Sequence, residues 1–393
     1  MSDPTAPRSA RASLTLAIAR TAIVVAIAIV TFAVAEMVSR WVAPQSVQVG
    51  FANDRVPLPY TVFGPRQVDG AVRVNALGYR GPVPTVPKRD EFRIFVLGGS
   101  TVFLGQPAMP ELLEERLRAQ DYDRVHVYNW GAVAASSGME VARLAFEVGD
   151  FQPDLVLQYD GGNDISSPFL YDPRPGYPLN FAVTERNPLL RSDLATYPTW
   201  ALFLYGSNLA RILFPSFFSG RFLELDDLRR ETDYGSPGWE DEIARIYIAN
   251  LVRSARIAGG FGALYMGFFQ PLIQFKPSLS EDEARVKDLL VDYLTDHRAA
   301  EFDAHAQRMR ERVLARIAEL GGVPKVVDLS GTFAATTESI YTDFIHINRA
   351  GNERIADAIS ERLLADATIR RGLDAHGRGS RRVVSGAAAR AVP

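Results

Sequence analysis

The chain has 393 residues, 47% hydrophobic and 23% charged, with a formal net charge of −3. That composition fits one large globular domain or two ordinary ones, and no strong field points to nucleic acid as a partner. There are no cysteines, which excludes disulfides, thiolate metal sites and cysteine nucleophiles and leaves the compartment open.

The first element is apolar. "LTLAIARTAIVVAIAIVTFAVAEMV" runs from Leu14 to Val38, almost wholly apolar, with Arg20 and Glu36 its only charges. As a helix it exceeds the roughly 20 residues that a bilayer core requires. Arg8, Arg11 and Arg20 precede or open the run. The positive-inside bias therefore puts residues 1–13 in the cytoplasm and everything after the helix outside. The rival reading is a cleaved signal peptide, because "AVA" (Ala33–Ala35) fits a small-x-small cleavage site. The run continues through that site without a helix breaker, which favours an uncleaved single-pass anchor in the inner membrane. Either reading exports the main domain to the periplasmic or extracellular side.

Residues 39–90 form a Pro- and Gly-punctuated linker and lead-in. The stretch 91–365 then alternates. "RIFVL" (93–97), "VHVYNW" (125–130), "DLVLQYD" (154–160), "ALYMGFFQ" (263–270) and "KVVDLS" (325–330) read as strands. Helical patterns lie between them at 109–120 and 138–150 and across the charged region 281–320, and one closes the domain at 349–365. This order predicts a three-layer α/β/α sandwich around a parallel sheet of about five strands. A gap of about 100 residues after the third strand is too long for a loop, so an inserted, aromatic-rich cap with its own helices is expected at about 165–260. Residues 366–393, rich in Arg, Ala and Gly, are expected to be a disordered tail.

In an open parallel sheet, ligands bind outside the carboxyl ends of the strands, so the residues just after each strand carry the information. They are Gly98-Gly99-Ser100, Asn129-Trp130-Gly131, Gly161-Gly162-Asn163-Asp164, and "YTDFIHINRAGN" with Asp343 three residues before His346. A serine hydroxyl needs a base before it attacks. His346 is the candidate base, and Asp343 the group that orients the imidazole and stabilises its charged form. The Ser100 N–H, the Gly131 N–H and the Asn163 side-chain amide are candidate donors to an oxyanion. Each motif alone reads as a turn or cap; their joint placement on one rim is the signal. Val102 breaks the G-x-S-x-G elbow, and no Walker lysine or dinucleotide fingerprint is present. His126 reads as a core or edge residue, and His297 and His305 as solvated. No His and carboxylate cluster has metal-ligand spacing, so neither a metal nor another cofactor is expected.

Together these blocks resemble the SGNH hydrolases, the GDSL-like lipases and esterases. "FVLGGST" is similar to the first block, "NWGAVAASSG" to the second, "YDGGND" to the third and "YTDFIHINRAGN" to the last. The resemblance covers about 92–365 outside the insertion, and implies a flavodoxin-like sandwich. It also implies Ser100 as nucleophile and oxyanion donor, Gly131 and Asn163 as further donors, His346 as base and Asp343 as its partner. Gly99 stands where the family commonly has Asp, which loosens what can be said of substrate. "RVNALGYRGP" and "FFQP…KPSLSEDEA" resemble a membrane-anchored bacterial subgroup, and by themselves read as a turn and a helix cap. The expected activity is an exported, membrane-anchored serine esterase. It would act on an acyl ester, acetyl first among them, of a carbohydrate or lipid. The alternatives are a polysaccharide O-acetyltransferase using the same triad and a non-catalytic cell-envelope scaffold or binding module.

Overall fold

The computed structural model describes residues 6–43, 55–58, 60–65, 73–179, 181, 185, 206–213, 226–293 and 299–379. The chain divides into two compact units, residues 1–50 with 182–224 and residues 51–181 with 225–393.

In the larger unit, β1 (Arg55–Leu58) and β2 (Val62–Pro65) pair as a small antiparallel sheet. The main sheet contains β3 (Phe92–Gly98), β4 (Val125–Gly131), β5 (Leu155–Asp160), β6 (Leu264–Phe269) and β7 (Val326–Asp328). Its order is β4-β3-β5-β6-β7, and every pairing is parallel. Every residue of β3 and β5 is buried, which is why these strands read as continuous apolar runs and not as alternations.

Alternation reappears as a division between two layers. Phe92, Ile94 and Val96 pack with Leu112, Leu113 and Leu117 of the helix Met109–Arg118 and with Ile355, Ile359 and Leu363 of the helix Arg349–Ala365. Phe95 and Leu97 face the other way, with Trp130, Leu144, Val148 and Ala258. Each fully buried side chain of this kind contributes about 1.5–3 kcal/mol. The expected α/β/α sandwich is therefore the fold of this unit.

Two expectations narrow. The helix Pro237–Gly260 belongs to the sandwich: it buries Trp239, Ile243, Tyr247 and Leu251 and forms the crossover from β5 to β6. An insertion spanning 165–260 is thus too broad, because its end is framework, and 182–224 falls in the other unit. The aromatic stretch 214–220 lies outside the described residues. The tail also begins later than expected. The helix Ala367–Gly372 and the turn after it fold onto the domain, with Ile369 and Leu373 in the core and the Gly377 carbonyl accepting from Arg124 N–H. The Arg- and Gly-rich composition had hidden these two anchors. Residues 380–393 lie outside the described residues.

The smaller unit holds the helix Ala6–Val42. Its segment Leu14–Val42 is long and apolar enough to cross a membrane, and its large apolar side chains from Leu14 to Val30 are exposed. Glu36 accepts hydrogen bonds from Ser207 Oγ (2.7 Å) and from the N–H groups of Asn208 (2.8 Å) and Leu209 (2.9 Å). The short helix Asn208–Leu213 is thereby tied to the carboxyl end of the long one.

Candidate active site

The chain runs from β3 outward to β4 on one side, then crosses to β5 on the other. The crevice outside the carboxyl ends of β3 and β5 is the topological switch point, where ligands collect in such sheets. Ser100 follows β3 and Asn163 follows β5 at this crevice.

Gly98-Gly99 has a steric reason. A Cβ on Gly98 would stand 2.4 Å from the Tyr159 carbonyl oxygen of β5, and one on Gly99 would stand 2.5 Å from Asn163 Nδ2. A side chain at either position displaces a neighbour. The pair lets Ser100 open a one-turn helix, Ser100–Phe103, packed directly on the sheet. As its first residue, Ser100 has an N–H without an intrahelical acceptor.

Asp343 and His346 come from the loop between β7 and the helix Arg349–Ala365. Asp343 Oδ1 accepts from the N–H groups of Ile345 (2.9 Å) and His346 (2.7 Å). Its Oδ2 lies 2.5 Å from His346 Nδ1, and His346 Nε2 lies 2.6 Å from Ser100 Oγ. With Nδ1–H donating to the carboxylate, Nε2 is left to accept the Ser100 hydroxyl proton. Burial works to raise the Asp343 carboxyl. The His346 hydrogen bond and charge, with the two N–H donors, outweigh burial and hold it below the usual carboxylate range. Ser100 itself is 4% exposed.

Asn163 is the second residue of the helix Gly162–Leu170. Its Nδ2 donates to the Ala135 carbonyl at 2.7 Å, which fixes the amide and leaves its second N–H. Gly131 departs from expectation. Its N–H donates to Asn129 Oδ1 at 3.1 Å, so that donor is engaged. A Cβ there would meet Phe103 N at 2.7 Å, and the glycine is needed for packing the Ser100 helix on β4. Three residues on, Ala134 adopts a left-handed φ of 60°, a strained conformation for a residue with a Cβ. It lies beside the Ala135 carbonyl that holds Asn163.

Behind Asn163 lies a group that sequence reading missed. Asp164 accepts from Ser137 N–H (3.1 Å) and Ser137 Oγ (2.5 Å). Asp160 accepts from Tyr247 OH (2.7 Å), and Gln158 Nε2 bridges Glu140 and Asp160 at 2.8 Å each. All three carboxyls are buried. Burial, with the Asp160 charge, pushes Asp164 to about 7 and drives Glu140 well above its ordinary value. His305, expected to be solvated, is fully buried. Its Nδ1 meets Glu240 Oε1 (3.0 Å), its Nε2 meets the Ile165 carbonyl (3.3 Å), and its ring stacks on Phe169. It thus pins the helix Gly162–Leu170, which carries Asn163. His126 sits part-exposed on β4 as an edge residue, beside Glu91; His297 lies outside the described residues. Among the described residues no group of three or more His, Asp or Glu could hold a metal ion.

No protein-family model matches the sequence, and no curated protein does. Solved structures that resemble it include a lipase/acylhydrolase from Enterococcus faecalis, at 15% identity over 69% of this chain and 95% of that one, TM-score 0.33. A GDSL-like lipase from Bacteroides thetaiotaomicron matches at 11% identity over 73% and 92%, TM-score 0.38. An acetyl xylan esterase from Geobacillus stearothermophilus matches at 11% over 70% and 96%, TM-score 0.35. Likeness at this level is too loose to carry an activity across.

Proposed function

We propose that this chain is a serine esterase of the SGNH type, held to a membrane by residues 14–38, with its catalytic domain exported. The observation that carries the reading is the relay of 2.6 Å from Ser100 Oγ to His346 Nε2 and 2.5 Å from His346 Nδ1 to Asp343 Oδ2. In this reading His346 takes the Ser100 proton as Oγ attacks an ester carbonyl. Asp343 stays ionised and stabilises the imidazolium that forms. The Ser100 N–H and the free N–H of the Asn163 amide receive the oxyanion, each such donor supplying about 2.7–4 kcal/mol in the transition state. His346 returns the proton to the leaving alcohol, and an acyl-enzyme remains on Ser100. Water then enters by the same route, giving the carboxylic acid and free enzyme.

The proposed substrate is an acyl ester, acetyl first, on a carbohydrate or lipid outside the cytoplasm. The test is hydrolysis of p-nitrophenyl acetate by the full chain in detergent, with and without an acetylatable polysaccharide. Turnover that depends on Ser100 supports the reading, and turnover unchanged in Ser100→Ala overturns it. Acetyl appearing on the polysaccharide would make the second step transfer, since both routes share the acyl-enzyme.

A further inference from the structure

The stretch "FFQP…KPSLSEDEA" reads in sequence as a strand end and a helix cap. The cap is present: Ser280 Oγ accepts from Glu283 N–H (3.2 Å), and Glu283 Oε2 accepts from Ser280 N–H (2.9 Å), a reciprocal capping box. Such a box needs only one carboxylate oxygen and is ordinarily solvent-exposed. Here Glu283 is fully buried, and its other oxygen is spent elsewhere. Glu283 Oε1 accepts from the N–H groups of Ile340 (2.9 Å) and Tyr341 (3.1 Å). Lys276, also with a fully buried side chain, donates from Nζ to Glu283 Oε2 (2.5 Å) and to the Glu338 carbonyl (2.6 Å). Ile273 N–H adds a bond to the Phe344 carbonyl (3.1 Å).

Every one of these distant partners lies in 338–344, the segment that leads into and through the Asp343–His346 turn. The same turn is closed on itself by Thr342 N–H to the His346 carbonyl (2.9 Å) and Asn348 N–H to the Ile340 carbonyl (2.8 Å). Fixing Ile340 and Tyr341 therefore fixes the base from which His346 reaches Ser100. A buried ion pair is weak evidence of stabilisation, because well-packed apolar residues often do as well or better. What it supplies here is an acceptor that holds two successive N–H groups of an irregular segment. Paired with Lys276, Glu283 is held below the ordinary carboxylate range against the opposing effect of its own burial, so the acceptor is ionised at neutral pH.

We infer that Lys276 and Glu283 are positioning residues for His346, a buried clamp on the 338–341 backbone that sets the imidazole against Ser100 Oγ. The inference rests on the esterase reading above. Its test uses the full chain in detergent and three measurements: thermal unfolding, p-nitrophenyl acetate kinetics and amide exchange of the 338–348 peptide. The double variant Lys276→Met/Glu283→Leu replaces the pair with apolar bulk. It should unfold near the wild-type temperature, exchange faster in 338–348 and lose kcat by about 10²-fold, the scale of a misplacement near 1 Å, with KM within about twofold. Lys276→Met/Glu283→Gln keeps a neutral acceptor for Ile340 and Tyr341 and should recover most of that loss. If the Leu variant does not fold, the Gln variant decides, because it should show near-wild-type kcat and exchange. A folded Leu variant with wild-type kcat, or a loss confined to KM, overturns the inference. So does unchanged exchange in 338–348. A wild-type chain without Ser100-dependent turnover overturns the esterase reading instead, and the exchange measurement still reads the clamp.

Discussion

Gly99→Ala isolates the contact between the Gly98-Gly99 hinge before Ser100 and the Asn163 amide, the proposed oxyanion donor. The new Cβ would stand 2.5 Å from Asn163 Nδ2 and 3.3 Å from the Ala135 carbonyl. An unstrained contact needs about 3.5 Å, so the amide must move by roughly 1 Å. It cannot turn away freely, because Nδ2 is held by the Ala135 carbonyl at 2.7 Å. Loss of one oxyanion donor costs about 10²–10³ in kcat, whereas the overpacking costs about 1–3 kcal/mol of stability. The assay is ester hydrolysis by the full chain, with thermal unfolding as the control. The expected result is kcat lowered about 10²-fold or more, with KM little changed. Asn163→Ala should do the same without the overpacking. The double variant should be no slower than Asn163→Ala alone and should unfold higher than Gly99→Ala, because the clashing atom is gone and the two sites are coupled. Wild-type kcat in a folded Gly99→Ala protein would refute the placement of the oxyanion site.

Two further outcomes concern stability. Asp164 keeps its proton in the folded state up to about pH 7, where an ordinary Asp loses it near 3.8. Between those values the folded state binds more protons than the unfolded one, so stability should fall as pH rises, on the order of 1 kcal/mol per pH unit. Asp164→Asn should flatten that slope in chemical denaturation between pH 4 and 7, and an unchanged slope would refute the assignment. Leu373 is fully buried in the core beyond the last long helix. Leu373→Ala should therefore cost about 2–5 kcal/mol, and a neutral result in thermal unfolding would return 366–379 to the status of a tail.

The parts of the fold that were legible are those where burial is expressed directly in composition. β3 and β5 are covered on both faces, so "RIFVL" and "DLVLQYD" stand out as apolar runs, and the helix Met109–Arg118 shows its buried stripe at Leu112, Leu113 and Leu117. Ser100, Asn163, Asp343 and His346 were legible because strand ends in a parallel sheet share one rim. What the sequence hid depends on which way a side chain turns and on partners it meets only in the folded chain. Gly131 reads as a free donor until Asn129, two residues before it, turns its side chain back onto the N–H. His305 sits among charged residues in sequence, yet its helix turns it onto Glu240 and Phe169. The burial of Glu140, Asp160 and Glu283 is not written in the sequence, because most of the donors that allow it come from elsewhere in the tertiary structure. The helix Pro237–Gly260 reads as part of an insertion because the gap before β6 is long, although its apolar face is that of a crossover helix.

The central claim is that the Ser100 hydroxyl is activated by His346. The most direct measurement is covalent trapping of the full chain with a fluorophosphonate probe, followed by mass mapping of the modified residue. A single adduct on Ser100 is expected, abolished in Ser100→Ala and reduced at least about 10³-fold in rate in His346→Ala, with the double variant no worse than Ser100→Ala alone because the pair acts as a unit. Both variants should unfold near the wild-type temperature. An adduct elsewhere on the chain, or undiminished labelling of Ser100 in a folded His346→Ala protein, would contradict it.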